Sequence, residues 1–262
     1  HGKELKRGYW KSMSKTIFGK NQIEPIVWKK YEGEEIIFRT IIRDGKKIFE
    51  KKFHEDRVKA KPKGNAYIIG NGPSRQNFDL STLKASGQTY GCNAIYRDFI
   101  PDFIFSVDTQ MTETMCKDNV MKKTIHYAPS LHVNRPYAEN LLHLIPWNTH
   151  TISGNQAIST ACVHGHKNLY LIGFDFREYG QGQMNNMYQD TDHYGERHSD
   201  TIFEGWLKWF RDYLKMRPYC NFTIVHNNPP EYLNHLQTGT DLKNSKIISY
   251  KEFSDVILNQ HQ

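Results

Sequence analysis

The chain has 262 residues, enough to bury a substantial core as one α/β domain or as a domain with an appendage. Aromatic residues make up 13% of the sequence, which excludes a disordered chain. No apolar stretch reaches the ~20 residues of a membrane-spanning helix. The cysteines, Cys92, Cys116, Cys162 and Cys220, are widely spaced without a C-x-x-C pair, so we expect reduced thiols in a cytoplasmic protein.

The net charge of +7 is concentrated at the start of the chain. Residues 1–60 contain 16 Lys and Arg against 9 Asp and Glu, whereas residues 61–262 contain 19 of each. A basic segment of this kind suits nucleic acid, anionic lipid or an acidic surface. A solvated basic face is the simpler interpretation, and we favour it.

The first 60 residues predict a β-hairpin followed by a linker. Two β-rich runs, 35–43 and 47–53, flank Asp44-Gly45, which is a strong turn signal. Residues 59–64 (K-A-K-P-K-G) are typical of a linker. We therefore expect a basic extension at 1–60 and a second domain at 61–262.

From Asn65 onward, strand and helix patterns alternate. The predicted strands are 66–70, 88–92, 103–107, 124–127, 168–173 and 221–226, with weaker ones at 149–152 and 246–249. The predicted helices are 79–86, 109–119, 155–166, 200–216 and 250–260. This alternation predicts an α/β fold with a doubly wound, mostly parallel, Rossmann-like sheet.

Glycines and polar residues gather where the predicted strands end, which is where ligands bind in such sheets. The ends read G-N-G-P-S at 70–74, G-C-N at 91–93, S-V-D at 106–108, I-S-G-N at 152–155 and G-F-D-F at 173–176. Gly70 and Gly72 can take positive φ and let a ligand approach the backbone, and the next helix offers free amides to an anion. Arg75 fills the third glycine position of the dinucleotide pattern, so the loop predicts a different phosphate site.

These segments, in this order, resemble the small bacterial sialyltransferases, which are single-domain Rossmann-like glycosyltransferases with a CMP-sugar donor. The matched segments are G-N-G-P-S at 70–74, C-N at 92–93, S-G at 153–154, G-x-D-F at 173–176 and H-Y-x-x-H-S at 193–199, the last with one extra residue. The similarity covers about residues 65–226. A related group with the same first loop and G-x-D-F strand end is the 6-hydroxymethylpterin diphosphokinase-like family.

The resemblance implies roles for individual residues. Those implied for the nucleotide and the donor sugar are Gly70, Asn71, Gly72, Pro73, Ser74, Asn93, Asp108, Ser153, Gly154 and Asp175. His198 would be the general base that deprotonates the acceptor hydroxyl, with His193 as the alternative. No tightly bound cofactor is implied, because the nucleotide sugar is a co-substrate.

The chain departs from the family where the leaving phosphate is stabilised. The family uses two tyrosines without a metal, whereas Arg177 and Gln183 stand at those positions here. Arginine can contact phosphate in bidentate fashion, and Tyr194, like Tyr179 and Tyr188, lies in the same segment and can substitute. Asp108 replaces an asparagine of the family, and its carboxylate would repel a carboxylated sugar, or hold a hydroxyl or divalent ion instead.

Two further features of the region before helix 200–216 carry predictions. The segment 177–199 is long and polar, so we expect a lid over the donor. The D-x-D sequence at 190–192 lies in a loop rather than at a strand end, which argues against a metal site there.

The sequence thus predicts a glycosyltransferase acting on a glycan or other hydroxyl acceptor, with the oligomeric state left open. The first alternative is a pterin-type pyrophosphokinase that needs ATP and Mg²⁺. The second is a non-catalytic module that binds a partner or an anionic surface through residues 1–60.

Overall fold

The computed structural model describes residues 64–129, 152–176, 186–195, 201–231, 233 and 243–258, and the backbone of strands at 17–18, 21–23, 27–31, 34–43, 46–52 and 143–145. The chain divides into two compact units. One comprises His1–Lys61 with Ile145–Asn148, and the other comprises Pro62–Leu144 with Thr149–Gln262.

The first unit contains an antiparallel sheet. Its strands are β1 (Ile17–Phe18), β2 (Asn21–Ile23), β3 (Val27–Tyr31), β4 (Glu34–Arg43) and β5 (Lys46–Lys52). Strand β4 pairs with β2, β3 and β5, and the ladder with β5 shifts register between Ile41 and Ile42. The predicted hairpin around Asp44-Gly45 is confirmed. The extension is larger than that hairpin, because three preceding strands join the same sheet.

The second unit contains a mostly parallel sheet, apart from Ile145 at the end of its edge strand. Its strands are β6 (Asn65–Ile69), β7 (Gly87–Cys92), β8 (Phe103–Phe105), β9 (Ile125–Pro129), β10 (His143–Ile145), β11 (Asn168–Ile172), β12 (Asn221–Val225) and β13 (Ser245–Ile248). The order is β10-β9-β8-β7-β6-β11-β12-β13, and the seven strands from β9 to β13 in that order run parallel. The predicted Rossmann-like α/β fold is therefore confirmed.

The helices occur in the predicted order, but they begin and end at slightly different residues from those predicted. They are α1 (Thr109–Lys117), α2 (Ser153–Val163), α3 (Thr201–Met216) and α4 (Tyr250–Glu252), which continues as a π-helix (Phe253–Leu258). Short 3₁₀ helices span Pro73–Arg75, Leu80–Ala85, Asn93–Arg97 and Val120–Lys122. The segment predicted as helix 79–86 is thus a 3₁₀ helix, capped by the Asp79 carboxylate accepting from the Ser81 amide at 2.9 Å. Of the weak strand at 149–152, residues 149–151 lie outside the described residues, and an edge strand is found at β10 instead.

The central strands are buried on both faces. In β6 four consecutive residues, Ala66, Tyr67, Ile68 and Ile69, all have 0% exposure, as expected for a parallel sheet covered on both sides. Helix α2 packs over β6, β7 and β8. Each buried isoleucine of this strand contributes roughly 1.5–3 kcal/mol to stability.

All four cysteines are buried and carry free thiols. No helix in the part of the chain that the structure describes is both long enough and apolar enough to cross a bilayer.

Candidate functional site

The strand order changes direction at β6, so the crevice expected at the switch point of a parallel sheet lies beside this strand. From β6 the chain proceeds to β7 on one side, and β11 flanks the other side. In such sheets the ligand site lies beyond the carboxyl ends at this switch point. The two loops continue in contact beyond the strands, since the Gly70 amide donates to the Ile172 carbonyl at 2.8 Å and the Gly72 amide donates to the Gly173 carbonyl at 2.9 Å.

Asn71 connects the ends of β6 and β7. Its Nδ2 donates to the Cys92 carbonyl at 3.1 Å, and its Oδ1 accepts from Arg75 at 3.5 Å. The residue is 7% exposed. Both ends of the amide are therefore used inside the protein, where they hold the first loop against the second. A direct contact of Asn71 with nucleotide stays a prediction.

Asn93 and Ser153 meet although they are far apart in sequence. Ser153 Oγ donates to Asn93 Oδ1 at 2.9 Å and accepts from the Val107 amide at 3.1 Å. Asn93 has φ 52°, a left-handed conformation that asparagine tolerates better than most residues. This turn brings the end of β7, the end of β8 and the start of α2 together. The predicted convergence of these segments on one edge is thus confirmed.

Ser74 and Asp175 form the contact across the switch point. The Ser74 amide donates to Asp175 Oδ2 at 3.1 Å, and the Ser74 hydroxyl donates to Asp175 Oδ1. A carboxylate of the protein therefore occupies the donors that we expected to receive a ligand anion. The expectation of free amides after the first loop is therefore wrong at Ser74, whose amide donates to Asp175 just beyond β11. A contact of Ser74 with a ligand stays a prediction.

The glycines of the first loop are needed because a side chain would collide with neighbouring atoms, not because the backbone takes a positive φ there. Among the described glycines, positive φ occurs at Gly64, Gly165 and Gly173, so the expectation of positive φ at Gly70 and Gly72 is wrong. A Cβ on Gly72 would lie 2.5 Å from the Asp175 Cγ, and one on Gly70 would lie 2.5 Å from the Gly173 oxygen. Real Cβ atoms essentially never approach that closely. The end of β11 fills the room that the glycines leave.

Gly154 makes a contact of the same kind. A Cβ there would lie 3.0 Å from Phe174 Cε1, and a Cβ on Gly70 would lie 3.1 Å from Phe174 Cδ2. The G-N-G-P-S, S-G and G-F-D-F segments therefore interlock through Phe174 and Asp175. This packing gives a physical reason for the three segments to occur together in one chain.

Arg75 is a buried cation directly behind the first loop. It is 2% exposed, and its Nε donates to the Gly70 carbonyl at 2.6 Å. Its Nη2 donates to the Tyr188 hydroxyl at 3.3 Å, and that hydroxyl donates to Asp98 Oδ2 at 2.6 Å. Among the described residues no carboxylate forms a salt bridge with Arg75, so Tyr188 relays its interaction with Asp98. This network was not predicted, because nothing in the sequence indicates a buried arginine.

The described part of the predicted lid belongs to the body of the domain. In residues 186–195, the Met187 amide donates to the Asn71 carbonyl at 2.8 Å, and Thr191 accepts from Arg97 at 2.9 Å. His193 Nε2 lies 2.9 Å from the Thr114 hydroxyl on α1. These bonds attach residues 186–195 to the domain in this structure, and a lid over the donor stays a prediction. The remainder, 177–185 and 196–199, lies outside the described residues.

The three predicted catalytic residues differ in what the structure shows. His198 and Arg177 lie outside the described residues. Tyr194 is 5% exposed, and its hydroxyl has no hydrogen-bond partner among the described residues. Burial raises the pKa of Tyr194, and the Ala94 amide and Asn71 side chain that face its oxygen offset this only in part. A catalytic role for Tyr194 stays a prediction.

Asp108 is exposed at the end of β8. It precedes α1 in extended backbone conformation, and its side chain does not cap the helix. The predicted D-x-D residues Asp190 and Asp192 are exposed in the loop between Tyr188 and Tyr194. Among the described residues, no group of three or more His, Cys, Asp or Glu could hold a metal ion.

A histidine close to Asp175 was not predicted. His226 follows β12, and its Nε2 lies 3.8 Å from Asp175 Oδ1. Its Nδ1 accepts from the Asn228 amide at 3.1 Å, so Nε2 carries the proton of the neutral ring. Burial lowers the pKa of His226, and Asp175 offsets this in part. The rule that identified the other strand ends applies equally to β12 and would have identified His226.

Comparisons of the chain with protein-family models, with curated proteins and with solved structures give no match.

Proposed function

We propose that the protein is a glycosyltransferase that moves a sugar from a nucleotide-activated donor, of the CMP-sugar type, to an acceptor hydroxyl. The observation that carries the proposal is the hydrogen bond from Ser153 to Asn93, 60 residues apart in sequence, at 2.9 Å. It joins two segments by which the chain resembles the bacterial sialyltransferases. Asn71 connects the first loop to the same place through the Cys92 carbonyl.

In this proposal the chain's residues divide the work between leaving group and acceptor. The N-terminus of α2, which begins at Ser153, offers partial positive charge to the donor phosphate. Arg177 would add a full charge as the bond from phosphate oxygen to the anomeric carbon breaks. His198 would take the proton of the acceptor hydroxyl as the hydroxyl oxygen attacks that carbon, a role that suits histidine because the unperturbed pKa of an imidazole is near 6.5.

A thermal-shift screen tests the nucleotide part of the proposal. The wild-type protein is measured with CMP, UDP, GDP, ATP and GTP, each with and without Mg²⁺. We expect CMP to stabilise the protein without Mg²⁺, by about 2.7 kcal/mol at a hundred times its Kd. Stabilisation by none of the nucleotides would contradict the proposal. It would favour the non-catalytic module, whose binding through residues 1–60 would be salt-sensitive.

Transfer itself is tested with CMP–N-acetylneuraminate and a panel of glycan acceptors. We expect His198→Ala to keep CMP binding and to lower the rate of transfer about 10²- to 10⁴-fold, the usual contribution of a general base. His193→Ala is the matched control, because His193 is held on α1 by Thr114. Equal loss in both variants would contradict the assignment of His198.

A pterin-type pyrophosphokinase is the second candidate, and the exposed Asp108 favours it. Mg²⁺ in nucleotide enzymes is bound by one or two carboxylates together with substrate phosphates, and Asp108 is exposed at a strand end where such an ion would lie. This candidate predicts that ATP stabilises the protein only with Mg²⁺. It also predicts that Asp108→Asn abolishes that stabilisation.

A further inference from the structure

Basic residues cluster at the amino ends of β11, β12 and β13, on the edge of the sheet opposite the predicted ligand site. The segments at these strand ends are 166–168, 214–221 and 243–246, and none of them contains Asp or Glu. We call this surface the amino-edge patch. Its cations, all exposed except the half-buried arginine, are Lys167, Lys215, Arg217, Lys243 and Lys246.

The excess of positive charge is local to the patch. Within five residues of its segments in sequence, the acids are Asp212 and Asp241, which lower the excess from five charges to three. Residues 61–262 taken together hold 19 basic and 19 acidic residues. A neutral body with one basic face attracts a polyanion to that face and not to the rest of its surface.

Asn244 holds the segments of the patch together. Its Nδ2 lies 3.0–3.2 Å from three carbonyl oxygens at and just after the end of α3, those of Leu214, Arg217 and Cys220. Its own carbonyl accepts from the Phe222 amide at 2.8 Å, and the Lys167 carbonyl accepts from the Asn221 amide at 2.6 Å. Because neighbouring strands lie about 4.8 Å apart, the cations of these three strand ends share one small surface.

Two large apolar side chains are exposed within the patch. Tyr219 is 59% exposed and Met216 is 44% exposed. In the part of the chain that the structure describes, Val256 is the one other large hydrophobic residue with comparable exposure. Apolar side chains among cations suit a partner that carries negative charge at its surface and hydrocarbon just beneath, as a lipid bilayer does.

The remaining side chains of the patch favour lipid over nucleic acid. Asn221 Nδ2 donates to Asn168 Oδ1 at 3.0 Å, and the Asn244 amide is bound to backbone carbonyls. These amides are therefore engaged within the protein, whereas amides that read base edges project from it. An exposed methionine also finds no apolar environment along a sugar-phosphate backbone, but it finds one at the acyl boundary of a membrane.

We infer that the amino-edge patch binds the surface of a membrane that contains anionic lipid, with its cations at the headgroups and Met216 and Tyr219 at the interface. This contact is independent of the proposed transfer reaction. The five-residue strands β11 and β12 separate the patch from their carboxyl ends by roughly 17 Å. A protein bound in this way keeps the predicted ligand site toward water.

Vesicle sedimentation tests the inference on the full chain. The wild type is mixed with vesicles of phosphatidylcholine alone and with vesicles of phosphatidylcholine and phosphatidylserine in equal parts, at about 0.1 M salt. We expect binding to the anionic vesicles alone, and weaker binding at about 1 M salt, where charges are screened within about 3 Å. Absence of binding to the anionic vesicles would overturn the inference.

A triple variant separates the patch from the basic residues 1–60. It combines Lys167→Gln, Lys243→Gln and Lys246→Gln. Each cation near an anionic membrane strengthens binding about fivefold, so this variant should bind roughly 100-fold more weakly. Unchanged binding would overturn the inference, because residues 1–60 would then account for it.

A second triple variant is the matched control. It removes the same number of exposed charges beside β9 and after β13, through Lys117→Gln, Lys122→Gln and Lys251→Gln. We expect its vesicle binding to fall by less than about threefold, since these lysines lie outside the patch. An equal loss in both triple variants would overturn the inference, because net charge alone would then explain the binding.

The double variant Met216→Ser, Tyr219→Ser tests the choice of a bilayer. Loss of both apolar side chains should weaken vesicle binding about tenfold. Unchanged vesicle binding in this variant would overturn the assignment to a bilayer. Tighter binding of the wild type to a duplex DNA oligonucleotide than to anionic vesicles, lost in the first triple variant, would also overturn it in favour of nucleic acid. Each variant should unfold within about 2 °C of the wild type, because the substitutions are at exposed residues.

Discussion

The carboxylate of Asp175 lies where a side chain on Gly72 would have to begin. A Cβ built on Gly72 would meet the Asp175 Cγ at 2.5 Å and both carboxylate oxygens within 2.7 Å. Two residues further along, Ser74 binds the same carboxylate through its amide and its hydroxyl. The first loop and the end of β11 are therefore built as one unit, and the shape of the crevice depends on their contact.

Gly72→Ala should destabilise the protein by about 1–3 kcal/mol, because the added methyl forces the Asp175 carboxylate away from Ser74. Urea unfolding measures the effect. Gly195→Ala is the control, since a Cβ there meets nothing within 4 Å, and it should stay within about 0.5 kcal/mol of the wild type. Equal stability of the two variants would show that the contact is not tight in solution.

Ser153→Ala should cost about 1–2 kcal/mol, because it removes the bonds to Asn93 and to the Val107 amide. It should also weaken CMP binding under the proposed function. Thr160→Val is the control on the same helix, as the buried Thr160 hydroxyl has no partner among the described residues. Chemical denaturation and calorimetry on both variants give the comparison, and an effect of Thr160→Val as large as that of Ser153→Ala would refute the account.

Tyr188→Phe and Tyr194→Phe should differ in their free energy of unfolding, although both tyrosines are buried in one segment. The Tyr188 hydroxyl binds Asp98 and Arg75, so its loss should cost about 1–3 kcal/mol and leave a buried cation less well solvated. The Tyr194 hydroxyl has no such partner among the described residues, and its loss should change stability by less than about 0.5 kcal/mol. Differential scanning calorimetry measures both, and the reverse order would contradict the network described around Arg75.

Stability should fall as pH falls below about 6.5. Burial lowers the pKa of His226, and likewise that of His166, below the ordinary value of 6.5. In the window between the lowered and the ordinary value, the unfolded chain binds protons that the folded protein does not, so acid favours unfolding. Above pH 6.5 both forms are neutral and the effect vanishes.

Urea midpoints at pH 7.5 and pH 5.5 check this sign. From pH 7.5 to pH 5.5, the urea midpoint of His226→Gln should fall less than that of the wild type. The midpoint of His193→Gln, a substitution at an exposed residue, should fall as much as that of the wild type. A wild-type midpoint that rises toward pH 5.5 would mean that Asp175 outweighs burial at His226.

The sequence predicted the sheet and one half of the crevice well. Apolar runs such as Tyr67 to Ile69 mark parallel strands because they are buried on both faces. The polar groups that follow them, among them Asn93 and Ser153, indicate the edge where they meet. These are local signals, readable within about ten residues.

The parts of the site that were not predicted depend on contacts between residues far apart in sequence, which composition and periodicity do not encode. Ser74 and Asp175 are 101 positions apart, and nothing in either neighbourhood shows that one carboxylate takes both donors. The same pairing explains why the reason for glycine at position 72 was predicted wrongly. A Cβ there would collide with Asp175, and this contact forms only when the end of β11 packs against the first loop. Tyr188 was considered for catalysis, whereas its bonds to Arg75 and Asp98 place it in the framework.

The central position of β6 has a consequence for biosynthesis. Tyr67 on β6 pairs with Tyr170 on β11, so during translation one hydrogen-bonding edge of β6 stays open until about a hundred more residues have left the ribosome. An unpaired apolar edge of this kind is a template for aggregation, and closing it requires slow, long-range pairing. Chains that end before Asn168 should therefore precipitate or bind chaperones rather than form half a crevice.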